Sequence, residues 1–252
     1  MKKNNFFQAA FRIAEKDLRT EFRRSYEVLS ILSFSVGSIL ICSFAWSGGS
    51  ATSGPEEAAA ALWVILFFTS ILVFTTSFTR EADRGTLGGL KTLPCSPLAI
   101  LFGKIIYGTA LLVLVECVLI PSSVVFLNLD FLGRGFAALL LVCLLGAVGL
   151  SFAGSFVSGL VMFSESKTLL LSFLLIPVSM PVLIPSVVAT RKIVSASVAG
   201  VGVGGVGVGG VGVGGVRGVG LTEVLPELRL LTAFLLLITA IMVLTFEFVL
   251  ED

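Results

Sequence analysis

The chain contains no histidine. That absence removes His-ligated haem, histidine-dependent zinc sites, Ser–His dyads and imidazole general bases together. Charge is scarce as well: 13% of the 252 residues are Asp, Glu, Lys or Arg, against about 25% in soluble domains. A net charge of +1 argues against nucleic acid as a partner. Cysteine is limited to Cys42, Cys95, Cys117 and Cys143. They are widely separated and mostly inside apolar runs, which is neither a zinc spacing nor a disulfide framework. No metal site is read from the sequence. No Walker A sequence occurs, because the Gly103-Lys104 pair lacks both the upstream glycine and the following Ser or Thr. Period-2 alternation is missing from the apolar runs, which argues against a transmembrane β-barrel. Arg12, Glu15, Lys16 and Arg19 interrupt the N-terminal stretch, so no cleavable signal peptide is read there.

What the chain has in abundance is apolar length. Hydrophobic residues make up 56% of it, and its mean hydropathy is +1.06. Six runs, at 28–46, 58–79, 100–127, 136–163, 169–189 and 230–250, approach or exceed the roughly 20 residues a helix needs to cross a bilayer. Helix is the backbone that satisfies its own hydrogen bonds in lipid. The expectation is an all-α membrane protein with one transmembrane domain over 1–252. Ahead of the first run, Phe7, Phe11, Ala14, Leu18 and Phe22 fall on one helical face, with Arg12, Glu15, Lys16, Arg19 and Arg23 on the other. That pattern predicts an amphipathic helix within 1–26, lying in the membrane interface.

Basic residues set the orientation. With a cytoplasmic N-terminus, the inner segments hold Lys2, Lys3, Arg12, Lys16, Arg19, Arg23, Arg24, Arg80, Arg84, Lys91, Lys104 and Lys167, and the outer ones Arg134, Arg191, Lys192, Arg217 and Arg229. Both termini and the segment 80–99 are then expected on the cytoplasmic side, and 190–228 outside. Within that outer segment, 201–215 repeats Val-Gly-Val-Gly-Gly three times. Glycine at this density disfavours helix, so 198–220 reads as a low-complexity linker. The repeat generates a formal G-x-G-x-x-G match at 202–207, without the strand–turn–helix context that would give it meaning.

The segment 78–104 combines a charge cluster, Arg80, Glu81, Asp83 and Arg84, with an apolar stripe, Leu87, Leu90 and Leu93. A segment that lies on the membrane surface and docks into another protein needs both. Within the spans, Glu116 sits near the middle of the third, where an ionisable group is costly and commonly functional; it reads as a pathway residue or an interhelix contact. Gly146, Gly149, Ser151, Gly154, Ser155, Ser158 and Gly159 recur at three- and four-residue spacing, a pattern of close helix packing in lipid rather than a reaction centre. Pro177, Pro181 and Pro185 fall four apart in the fifth span and suggest a broken or re-entrant segment in its outer half. Without histidine, a lysine would be the remaining base for a serine nucleophile, and Lys104 and Lys167 read as snorkelling residues at helix ends. No catalytic residue is assigned.

Taken together, the amphipathic start, the six spans and the run Glu81, Gly85, Thr86, Leu87, Leu90, Pro94, Pro97, Ile100, Gly103 and Lys104 resemble the permease subunits of ABC-2-type transporters. Residues 11–24 (FRIAEKDLRTEFRR) and 172–184 (SFLLIPVSMPVLI) are similar to one branch, the permease subunit of the cytochrome c maturation system, the CcmB or haem exporter protein B family. The 198–220 linker departs from that pattern. The resemblance implies a non-catalytic, multi-pass subunit of the prokaryotic inner membrane, paired as a homodimer with a separate ABC ATPase that holds the ATP. The implied coupling residues are Glu81, Asp83, Arg84, Gly85, Thr86, Leu87, Leu90, Leu93, Pro94 and Pro97. Further implied partners are haem-handling membrane subunits of cytochrome c maturation, with haem as possible cargo and no cofactor on this chain. The competing readings are an ABC-2 permease for a lipid, glycan or drug, and a non-transport membrane scaffold.

Overall fold

A computed structural model describes residues 6–23, 25–47, 55–77, 97–127, 136–161, 164, 166–201 and 221–251. Among these residues the secondary structure is entirely helical: α1 (Phe6–Arg23), α2 (Ser25–Ser47), α3 (Pro55–Ser77), α4 (Pro97–Leu127), α5 (Phe136–Val161), α6 (Lys167–Val201) and α7 (Leu221–Glu251). The last six are long and apolar enough to cross a membrane, and the chain is a multi-pass membrane protein. Helices α3 and α4 both open on a proline, whose fixed φ and missing N–H suit a helix's first turn.

The spans are not equivalent. Helix α3 packs against α2, α4, α5 and α6, and α5 against α3, α4, α6 and α7; these two are the spans buried over more than half of their residues, so they form the centre. In hydrocarbon there is no hydrophobic force to drive apolar helices together, and dispersion contacts between closely approaching backbones take its place. The glycines make that approach possible. A Cβ placed on Gly146 would lie 2.0 Å from Trp63 Cη2, and one on Gly154 would lie 2.1 Å from Phe74 Cδ2. Gly108 of α4 opens the other side of the Phe74 socket. Trp63 and Phe74, both fully buried, are thus held in hollows where neighbouring helices carry no side chain. Two hydrogen bonds fix the arrangement: Trp63 Nε1 donates to Thr190 Oγ1 at 2.9 Å, and Ser158 Oγ to the Phe74 carbonyl at 3.1 Å.

Two expectations are corrected. Helix α6 runs without a break from Lys167 to Val201 through Pro177, Pro181 and Pro185, so the fifth span is neither broken nor re-entrant. Each proline removes one backbone bond, whereas unwinding in lipid would orphan several more. Pro177 and Pro181 stand on the exposed side, while Leu175, Val182 and Ala189 are buried; packing on that inner face keeps the helix continuous. The segment 190–228, expected as an outer loop, is helical at both ends, up to Val201 in α6 and from Leu221 in α7. Lys192 and Glu227, from those two ends, form an ion pair at 2.6 Å.

Candidate functional site

Two places in the fold bring polar groups together inside an apolar protein. The first is where α1 meets the start of α4. Helix α1 has three faces rather than two. Phe7, Phe11 and Phe22 point outward and are exposed, Arg12 and Arg19 are exposed beside them, and Ala10, Ala14 and Glu21 are buried. The buried face lies on α4, the main partner of α1. Gly103 permits the contact: a Cβ there would come within 2.9 Å of both the Ala10 carbonyl oxygen and Ile13 Cβ. One residue on, Lys104 Nζ meets Asp17 Oδ2 at 2.9 Å, with the two side chains only 3% and 11% exposed. One turn further, the Tyr107 hydroxyl donates to Glu21 Oε2 at 3.1 Å. Two carboxylates buried at the edge of a membrane protein thereby face a cation and a phenol, the compensation such burial requires. Beneath this polar seam, Ile100, Leu101 and Ile105 of α4 cluster with Met242 of α7, and Ile13 of α1 packs on them.

Of the residues assigned to coupling, Pro97 is the first residue of α4, two turns before Lys104. Glu81, Asp83, Arg84, Gly85, Thr86, Leu87, Leu90, Leu93 and Pro94 lie outside the described residues. The chain segment that carries them leaves the end of α3 and enters the helix to which α1 is bound. The set Asp17, Glu21, Lys104 and Tyr107 was missed as a unit in the sequence, where Lys104 reads as a snorkelling residue. Its signal was an acidic pair spaced by four, Asp17 and Glu21, matched by a Lys–Tyr pair spaced by three.

The second place is Glu116 on α4. It is 5% exposed, and among the described residues its Oε1 has no hydrogen-bond partner. It lines a cavity of about 640 Å³ between α4 and α5, whose other walls include Val113, Cys117, Pro121, Leu140 and Leu144. Glu116 does not join Pro177, Pro181 or Pro185, which belong to α6 and do not line this cavity. Ser151 and Ser155 of α5 are buried, with hydroxyl oxygens that also lack a partner, and no base adjoins them in the hydrogen-bond pattern.

Comparison with known proteins adds one finding. A family model described as CcmB protein matches residues 8–207, a span that runs from α1 through α6 and ends inside the Val-Gly repeat, leaving α7 beyond it. No curated protein and no solved structure matches significantly.

Proposed function

The chain belongs to the CcmB protein family, and on that premise we propose that it is the permease subunit of an ABC-type assembly acting in cytochrome c maturation. Two copies would pair with two ATPase subunits and with haem-handling membrane subunits. The work of the assembly would be haem export, or the ATP-driven release of a haem-loaded chaperone. This chain would transmit force and hydrolyse nothing.

The observation that carries the reading is the buried seam between α1 and α4. An ATPase engaging 80–97 pulls on a segment whose far end is Pro97, the start of α4. Because Lys104 is paired with Asp17 and Tyr107 with Glu21, α1 and α4 respond as one body. The near end of the same segment continues from α3, whose Trp63 and Phe74 are seated against α4 and α5 and whose Trp63 is bonded to α6. Displacement at one surface is therefore delivered to the central helices, with Gly85 as the turn and Leu87, Leu90 and Leu93 as the inserting side chains.

The test combines association with output. Gly85→Pro and Leu90→Glu are expected to leave membrane insertion intact and to abolish both ATPase co-purification and cytochrome c yield. Wild-type values for both in either variant would overturn the coupling role. Recovery of an ATPase from native membranes without any cytochrome c maturation protein would move the cargo to a lipid, glycan or drug.

A further inference from the structure

The Glu116 cavity has features that the force-transmitting role leaves unused. Its walls are almost wholly apolar, and its rim is open: Val125, Phe136, Leu140 and Leu144 are exposed. That rim belongs to two helices long and apolar enough to cross a membrane, and it runs from Leu140 and Leu144 up to the helix ends at Val125 and Phe136. Glu116 lies 11 residues before Leu127, the end of its helix, or about 16 Å at 1.5 Å per residue. This places the carboxyl within the hydrocarbon zone, where an unsatisfied polar group is expensive.

The polar side chains that line the cavity are a carboxyl, Glu116, and a thiol, Cys117. Glu116 Oε1 is buried and, among the described residues, has no donor. Pro121, which also lines the cavity, has no N–H to give to the Cys117 carbonyl four residues earlier. Two nearby hydroxyls are committed elsewhere, Ser122 Oγ to the Val118 carbonyl at 2.7 Å and Ser123 Oγ to the Ile120 carbonyl at 2.7 Å. An apolar cavity of drug-ligand size with one carboxyl in its wall is complementary to a chain that ends in a donor.

We propose that the cavity between α4 and α5 binds a single-chain amphiphile whose head group is a hydrogen-bond donor, an alcohol or an amine, admitted from the plane of the membrane. The head group meets the Glu116 carboxyl, and the chain lies between Leu140, Leu144 and the α4 wall. A carboxylate head is disfavoured, because among the described residues no cation lines the cavity to pair with it.

The test uses the full chain in phosphatidylcholine vesicles containing a diazirine-bearing hexadecanol, hexadecylamine or hexadecanoic acid. After irradiation, labelled peptides are read by mass spectrometry. The alcohol or the amine is expected to label the peptides lining the cavity, 113–125 and 136–144, about tenfold more than the acid, a difference of about 1.4 kcal/mol in affinity. Which of the two labels more strongly distinguishes a neutral from a cationic head. Leu140→Trp fills the mouth and is expected to reduce labelling about tenfold. Glu116→Leu is expected to erase the preference over the acid while preserving insertion and thermal stability. Equal labelling by the acid in the wild-type chain, or labelling spread evenly along α2 and α7, would overturn the proposal. So would a Leu144→Cys disulfide between two copies that excludes the probes, because that would make the face a contact between subunits. None of these readouts requires an ATPase, so failure here leaves the coupling role standing, and the reverse also holds.

Discussion

Trp63 and Phe74 occupy hollows that exist only because Gly146, Gly154 and Gly108 have no side chains. At Gly146 the shortfall is severe, since a Cβ would sit 2.0 Å from the indole, and Trp63 is anchored to Thr190 through its N–H. Gly146→Val is expected to destabilise the protein by about 1–3 kcal/mol, the usual range for overpacking, read as a lower thermal midpoint in detergent. Adding Trp63→Leu is expected to recover most of that loss, because the smaller side chain vacates the hollow. An unchanged midpoint in Gly146→Val would show that the socket is looser than described. The recurrence of glycine and serine in 146–159 was legible as a close-packing surface. Its occupants were not, because spacing within α5 says nothing about which aromatic of α3 arrives opposite. Asp17 and Glu21 were unreadable for a related reason: a carboxylate on an amphipathic helix looks solvated until a cation and a phenol from 86 or so residues away close over it.

Among the elements, α1 differs most from its sequence expectation. The phenylalanine stripe and the basic face are both present and both exposed. The face that binds the rest of the protein is a third, narrow one made of Ala10, Ala14, Asp17 and Glu21. A two-way division into apolar and polar misses such a face, because its residues are small or acidic and none is strongly hydrophobic. Gly103→Leu is expected to push α1 off α4, because the new side chain would meet the Ala10 backbone oxygen, which has no rotamer to escape by. Limited proteolysis should then cleave α1 faster, with the six spans intact. Asp17→Asn with Lys104→Met should loosen α1 less than Lys104→Met alone, because the single variant leaves a buried carboxylate unpaired. Equal protection in these two would argue against the ion pair as the clamp. Span existence was fully legible, since length and composition decide it. The continuity of α6 was not, because three prolines at a spacing of four signal interruption locally, while the buried face of Leu175, Val182 and Ala189 that overrides them is a tertiary fact.

For the molecule as a whole, six helices are long and apolar enough to cross a membrane, and if each crosses once both termini are expected on one side. The distribution of Lys and Arg, twelve against five, predicts that side to be the cytoplasm. Alkaline phosphatase fused to either end is expected to be inactive, and the same reporter placed in 202–220 active; the opposite pattern would invert the chain and put 80–97 out of an ATPase's reach. The centre of the protein is packed through glycine sockets. Its buried acid, Glu116, lies in the wall of the cavity between α4 and α5.

The seam between α1 and α4 also imposes a timetable on the ribosome. Glu21 is made 86 residues before the tyrosine that satisfies it, an interval of roughly 4–17 s at cellular elongation rates. During that time the first helix has its phenylalanines to rest on lipid and its arginines to rest on head groups, but its acidic face has no lodging. It must therefore wait at the surface while two spans are inserted behind it, and dock only when the third emerges. The earliest made of the described helices is thus among the later ones to reach its final place.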